Sequence, residues 1–443
     1  MRWPSHAQTK ASGVGWIGEV PAHWDVKRLR FALRGIEQGW SPLCDNTPAD
    51  DDEWGVLKAG CVNGSALDES ENKRLPETLE PACEYEIRAG DVLMSRANTT
   101  DLLGSAVHVG HVRPKLLLCD KLYRLRYDRE TVHPVFLVYA LRSHTGRAEL
   151  EKEATGTSGS MQNIGQRVVQ DARLPFPPFD EQHVIAAFLD RETARIDALV
   201  AAKRRLIALL HEKRAALIAR AVTRGLDPDV PTKDSGVAWL GPVPAHWAVK
   251  RFRFVASVCE GQVDPEAGEI SQMMLVAPNH VKSGTGRLIR EETAEDQGAI
   301  SGKYPVREGE VVYSKIRPAL NKVWVADRDC MCSADMYPIL CGTAILPAYL
   351  AAYMRSPGFL KLMVDESLRV AMPKVNRETL ADAPIVVPPV DEQTAIMSEV
   401  NRATEQIDVA LALASKTVAR LTEYRSTLIT SAVTGRIDVR AAA

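Results

Sequence analysis

One stretch of 46 residues occurs twice in this chain. Pro178–Thr223 returns 211 positions later as Pro389–Thr434, without a gap. Pro178-Phe179-Asp180-Glu181-Gln182 is answered by Pro389-Val390-Asp391-Glu392-Gln393. Ile196-Asp197 falls on Ile407-Asp408, Arg214 on Arg425, and Leu217-Ile218 on Leu428-Ile429. A repeat at fixed spacing constrains architecture before any local propensity does, because the fold must place two copies of one unit.

Both copies predict helix. Neither contains Gly or Pro after its opening proline. Ile185, Leu189, Ile196, Leu199, Leu206, Leu210 and Leu217 follow one another at intervals of three, four or seven. Ile396, Val400, Ile407, Leu421 and Leu428 keep the same phase, which is an a/d seam. The proline pair lies just ahead of each helix. Asp-Glu-Gln occupies the first turn, where carboxylates suit the positive end of the dipole. Gly225 and Gly435 read as stop signals. A continuous helix of this length spans roughly 69 Å, too long for one globular core. The partner for each seam is then the other helix, in an antiparallel coiled coil within the chain.

Composition adds limits rather than a direction. With 443 residues, two or three domains are expected. A formal charge of −2 gives no global nucleic-acid signature, so any DNA contact must come from local basic patches. The eight Cys contain no C-x-x-C pair and predict reduced, mostly buried thiols in a cytoplasmic protein. The start, Met1-Arg2-Trp3-Pro4-Ser5-His6, lacks the apolar core of a signal peptide, and no apolar run approaches membrane-spanning length.

A second repeat precedes each helix. Ser12–Phe31 and Ser235–Phe254, offset by 223, are identical at 15 of 20 positions. This lead-in tract is rich in Gly, Pro and Trp and predicts an ordered loop anchored by rings. Trp16, His23, Trp24 and their copies Trp239, His246 and Trp247 read as a packing clamp in preference to a catalytic or stacking set. Between tract and helix lies a variable body with sparse matching landmarks. Tyr85–Arg96 matches Tyr304–Lys315, each predicting strand, Gly-Asp or Gly-Glu turn, strand. Pro134–Ser143 matches Pro347–Ser356 as a short helix. Met161-Gln162-Asn163-Ile164 matches Met372-Pro373-Lys374-Val375. The offset drifts from 223 to 211, so one scaffold carries loops of different lengths.

The chain therefore reads tract, body, helix, tract, body, helix. The fold class expected is α+β: two homologous α/β domains separated and joined by two long helices, with pseudo-twofold symmetry. The expected divisions are residues 1–177, the helix 178–225, residues 226–388, the helix 389–436 and a tail 437–443.

This pattern resembles the specificity subunit of type I restriction–modification enzymes over almost the whole chain. The marks are W-x-G-x-x-P-x-H-W (Trp16–Trp24, Trp239–Trp247), the G-D-hydrophobic turn followed by S-R/K (Gly90–Arg96, Gly309–Lys315), and P-P-x-x-E-Q (Pro177–Gln182, Pro388–Gln393). Each is weak alone; their order, occurring twice, is specific. The resemblance implies two target recognition domains, each reading one half of a bipartite DNA site. It implies helices that set the spacer and dock two methylation subunits, with restriction subunits joining through that complex. It implies a chain without chemistry or cofactor of its own, the complex using S-adenosylmethionine, ATP and Mg through its partner subunits. The sequence agrees in lacking G-x-x-x-x-G-K-[ST] and N-P-P-[YF]. A coiled-coil scaffold with no DNA role, and a methylation-only complex, stand as alternatives.

Basic and amide side chains on the variable loops are the expected DNA contacts, since Arg and Lys take phosphate or guanine and Asn and Gln pair with adenine. In the first body these are Arg96, Asn98, Thr99, Lys121, Arg124, Ser160, Gln162 and Asn163. In the second they are Lys282, Arg287, Lys315, Arg317, Asn321, Lys322, Arg369, Lys374 and Asn376. The stretch after Ser95 or Ser314 and the loop ahead of each proline pair stand out, because both recur.

Overall fold

The computed structural model describes residues 3–158, 161–266, 268–367 and 373–442. The predicted helices form almost as read, over Phe179–Arg224 and Val390–Val433. The chain divides into two compact units, Met1–Lys203 with Lys416–Ala443, and Arg204–Ser415. Each unit takes part of both helices.

The two units share a plan. Each has a four-stranded antiparallel sheet in one order. In the first unit the order is Leu33–Gln38, Leu122–Tyr127, Val92–Ser95, Ala106–His108. In the second it is Ala256–Val258, Met336–Cys341, Val311–Ser314, Val323–Val325. The predicted short helices, Pro134–Arg142 and Pro347–Met354, each begin with proline at a position where its missing N–H costs nothing. They bury Phe136, Leu137 and Leu141, or Tyr349, Leu350 and Tyr353, in the main core of their unit.

The Gly-Asp and Gly-Glu turns form as predicted. Gly90 and Gly309 take φ of 91° and 86°, a region open mainly to glycine. The next carboxylate folds back onto the turn. Asp91 accepts the Arg88 amide and Glu310 the Arg307 amide, both at 3.0 Å. The strand ahead of the turn forms only in the second unit, as Tyr304–Val306 against Cys330–Cys332. In the first unit that pairing shrinks to one bridge, Glu86 to Leu117. The long preceding loop instead adds Asn72–Arg74 beside Gly55–Leu57.

The lead-in tracts dock on helix ends. In the first unit the strand Asp25–Arg28 pairs with Arg173–Phe176, and the fully buried Trp24 packs where the second helix stops. Gly435 has φ 70°, and a Cβ there would strike Pro21 and Trp24. In the second unit Ala248–Arg251 pairs with Pro384–Val387, and Trp247 closes over Gly225, φ 76°, whose Cβ would lie 3.1 Å from the ring. The packing-clamp reading holds for Trp24 and Trp247; Trp16 stays largely exposed.

The repeated Glu-Gln has a structural cause. Gln182 and Gln393 are fully buried. Gln182 donates to the Pro177 and Thr131 carbonyls, both 3.0 Å, and accepts the His133 amide at 2.9 Å. Gln393 repeats this with Pro388, Ala344 and Leu346. One amide thus ties helix start, proline pair and the loop before the short helix. Buried backbone groups would otherwise lack partners. The preceding glutamate meets the tract histidine, Glu181 with His23 at 2.8 Å and Glu392 with His246 at 2.7 Å.

Within each unit the two helix segments run antiparallel. In the first unit Glu181 faces Arg440 and, further along, Asp197 faces Arg425. In the second, Arg214 faces Asp408, while Gly225 and Glu392 both reach Trp247. The expected seam is buried at Ile185, Leu189, Ile196, Ile396, Val400, Ile407 and Leu428. It departs at Leu199 and Leu206, which are exposed, Val200 being buried in their place. The cause is phase: a 3.6-residue helix drifts about 20° per heptad against a 3.5 repeat.

All eight cysteines are free thiols. Burial pushes Cys119 and Cys341 up to about 11 and Cys330 to about 12. Cys83 departs from the expectation and is exposed. No helix among the described residues is long and apolar enough to cross a membrane.

Candidate nucleic-acid interface

The two recurring stretches, far apart along the first body, are joined edge to edge in both units. In the first, Ala97–Asn98 pairs antiparallel with Met161–Asn163, setting Gln162 opposite Asn98 and Asn163 opposite Ala97. In the second, Ile316 bridges Lys374 in the equivalent register. The Ile164 amide donates to the Arg96 carbonyl at 2.8 Å, and the Val375 amide to that of Lys315 at 2.8 Å.

The motif S-R/K supplies the hinge. Ser95 Oγ donates to the Ala97 carbonyl and Ser314 Oγ to that of Ile316, turning the chain out of the central sheet. The next cation lies over a tyrosine of the neighbouring strand. Arg96 is 5.8 Å from the Tyr123 ring centre and Lys315 is 5.3 Å from that of Tyr337. Each tyrosine hydroxyl donates across to the second stretch, Tyr123 to the Ile164 carbonyl and Tyr337 to that of Val375. Burial pushes both phenols upward, so they remain neutral donors. A cation held over a ring and kept partly clear of water interacts more strongly than an exposed one.

On this joined edge Thr99, Lys121, Arg317, Lys374 and Asn376 are exposed, and Gln162, Asn163, Arg96 and Lys315 are half-buried. Asn376 also caps the helix Arg377–Asp382, accepting the Thr379 amide at 2.7 Å. Arg317 and Asn321 take the left-handed backbone, φ 46° and 48°, on either side of the turn Pro318–Leu320. Such backbone costs of order 1 kcal/mol in a residue with a Cβ. The side chains differ between units at matched positions: Asn98 corresponds to Arg317, Gln162 to Pro373 and Asn163 to Lys374.

Several expected contacts belong to the scaffold. Arg124 is a correction: it is fully buried, paired with Glu37 at 2.8 Å and Asp91 at 3.2 Å, and donates to the Glu84 and Glu86 carbonyls. It lies within the run Leu122–Leu125, buried on both faces of its strand, where only a charge with full partners is tolerated. Asn98 spends its amide on Asn63 and Ser95 and its oxygen on the Thr99 amide. Asn321 donates to the Arg355 carbonyl, Lys322 to that of Pro278, and Arg287 pairs with Asp408 on the second long helix at 2.8 Å. Lys282 is exposed but stands on the hairpin closed by Val281 and Leu288. Ser160 and Arg369 lie outside the described residues.

Two supporting arginines escaped the sequence reading. Arg142 donates to the carbonyls of Asn63, Gly64 and Ala106, fixing the loop whose Asn63 side chain receives Asn98. Its repeat mate Arg355 lies against Gly286 and donates to the Val323 carbonyl at 3.4 Å. Burial, and then the nearby Arg214, brings the Arg355 guanidinium down to about 10. The signal was the repeated Leu-Arg-Ser and Met-Arg-Ser at the end of the short helices. Arg377 was also passed over; it pairs with Glu260 and lies 5.9 Å from the Tyr337 ring centre.

No family model matches the sequence. The chain is 26% identical over 320 residues to the Type I restriction enzyme EcoDI specificity subunit of Escherichia coli, covering 69% of this chain and 70% of that one. It is 31% identical over 161 residues to the EcoEI specificity subunit of Escherichia coli, 36% of this chain and 27% of the relative. Among solved structures, a chain from a study of complex assembly and conformational transition of the type I R-M system superposes with a TM-score of 0.70. That match covers 94% of this chain and 98% of the other at 16% identity, and carries the fold. In its repeated motifs and its fold, the chain is similar to the specificity subunits of type I restriction–modification enzymes.

Proposed function

We propose that this chain gives a type I complex its DNA sequence specificity, each unit reading one half of a bipartite target. The observation that carries the reading is the joined edge. Both units build it with the same hinge serine, a cation over the same tyrosine and the same register, then place different side chains on it. A shared frame with unlike side chains suits two unlike half-sites, because direct readout rests on a few base-edge contacts. Thr99, Lys121, Gln162 and Asn163 serve one half; Lys315, Arg317, Lys374 and Asn376 serve the other.

The long helices set the number of unread base pairs between the halves and dock two methylation subunits, through which restriction subunits join. Exposed apolar residues on the helices support docking: Leu206, Leu209, Val409 and Leu413 in the second unit, Leu199 in the first. Isolated apolar residues on a surface need no explanation, but the four on the two helix segments of the second unit mark an interaction face. The chain acts without a cofactor of its own, and S-adenosylmethionine, ATP and Mg belong to the partner subunits. Single-molecule sequencing of adenine methylation in cells expressing the chain with its methylation subunit tests the reading. A motif with two unlike halves and a fixed gap is expected. A soluble, active complex that methylates no defined motif would overturn it in favour of a scaffold.

A further inference from the structure

Phe31 and Phe254 occupy the same position in the two lead-in tracts and are 71% and 70% exposed. Their neighbours two residues earlier, Leu29 and Phe252, are fully buried, so the tract has a core-facing and an outward aromatic or aliphatic position. The surroundings repeat as well. Arg28 and Arg30 share the single carboxylate of Asp171, with Arg28 at 3.3 Å. Arg251 and Arg253 share that of Asp382, with Arg251 at 3.1 Å. In the first unit Arg167 also approaches Asp171, at 3.6 Å. At least two guanidinium groups on one carboxylate leave a positive charge beside a bare benzyl ring, once in each unit.

We infer that Phe31 and Phe254, each with its Arg-x-Arg pair, are docking points for two copies of one protein partner. The partner would offer an apolar pocket rimmed by carboxylates. Recurrence selects the kind of occupant. The half-site edges carry different side chains, whereas this patch keeps its phenylalanine, both arginines and the shared aspartate. A ligand that meets both units alike must itself be present twice. DNA backbone also meets both, but an exposed benzyl ring offers nothing to phosphate, and the arginines are already drawn onto a carboxylate. A large exposed aromatic beside Arg is the composition of a binding hot spot. The inference rests on the reading above, which makes the methylation subunit the partner present in two copies.

The full chain is co-expressed with its methylation subunit, and subunit stoichiometry is read by native mass spectrometry over a dilution series. The variants are F31S, F254S and the double substitution, with F31L as the conservative rescue. Unchanged thermal unfolding confirms that these exposed positions leave the fold intact. Wild type and F31L should carry two methylation subunits. Each single serine variant should weaken one site by roughly tenfold or more, giving one-copy species on dilution, and the double variant should weaken both. A double variant that keeps two copies with the wild-type dilution profile would overturn the inference and leave the specificity reading standing. Full assembly with reduced DNA affinity would also overturn it, assigning the patch to DNA. A wild-type chain that carries no methylation subunit would remove both.

Discussion

Arg425 on the second long helix pairs with Asp197 on the first, Nε to Oδ1 at 2.9 Å, and the pair recurs in the other unit with the roles exchanged between helices. There Arg214 of the first helix meets Asp408 of the second. Seventeen positions forward from Asp197 to Arg214 correspond to seventeen back from Arg425 to Asp408. That is what an antiparallel pair with a 211-residue repeat requires. The environments differ. Asp197 is about half exposed, whereas Asp408 is one-fifth exposed and also holds Arg287.

D408A should therefore cost more than D197A. Removing Asp408 leaves a mostly buried Arg214 without its carboxylate, which costs roughly 2–4 kcal/mol after allowing for partial exposure. Removing the exposed partner in the other unit should cost about 1 kcal/mol or less. Denaturant titration of both variants gives the comparison, and equal losses would contradict it.

The buried amide at each helix start predicts a large effect from a small change. Gln393→Leu keeps the volume but strands two carbonyls and one amide. A loss of about 2 kcal/mol or more is expected, with the same for Gln182→Leu. Hydrogen exchange should localise the loosening to the helix start and the loop ahead of the short helix. A loss below about 0.5 kcal/mol at both positions would show that water replaces the amide.

Arg124 and Arg317 should part company. R124A breaks a fully partnered buried cation and should lower stability by about 3 kcal/mol without altering the methylated sequence. R317A should leave stability nearly unchanged and weaken one half of the target, by about 1–3 kcal/mol of discrimination if it reads a base edge. Mapping the methylated motif for each variant separates scaffold from reader.

The two chain ends offer a pH test. Asp438 receives Arg440, lies beside His6 and donates its own amide to the Pro4 carbonyl. Chiefly through the Arg440 hydrogen bond, its carboxyl is held down to about 2 from an ordinary 3.8. A depressed acid stabilises the fold above its unfolded value and loses that contribution as pH falls through the folded one. Wild type should thus exceed D438N in Tm by a constant margin above pH 4, and the margin should vanish near pH 2. A margin that persists at pH 2 would show that the carboxylate is not its source.

Much of the architecture was legible because duplication writes the same constraint twice. The long helices, the Gly-Asp turns and the short Pro-initiated helices each appeared at matched places, and chance does not supply both. The seam was read correctly where it packs against a body and misread at Leu199 and Leu206, since a heptad frame ignores the drift of a straight helix. The site was legible at the level of segments. The stretches after Ser95 and ahead of Pro177 were singled out by recurrence, but their pairing across the edge was not, because register is a tertiary property. Individual side chains were least legible. Arg124 and Thr99 both look like loop-borne polar groups in the sequence, and only the place of Arg124 in a central strand and its partners Glu37 and Asp91 distinguish a core cation from a surface contact.

The most direct test of the central claim exchanges residues 33–174 for the corresponding body of a relative with a different target, then maps adenine methylation in cells carrying the hybrid and its methylation subunit. One half of the bipartite motif should change to that of the donor, with the other half and the gap retained. A hybrid that assembles and methylates with both halves altered, or with neither, would contradict the assignment of one half-site to each unit.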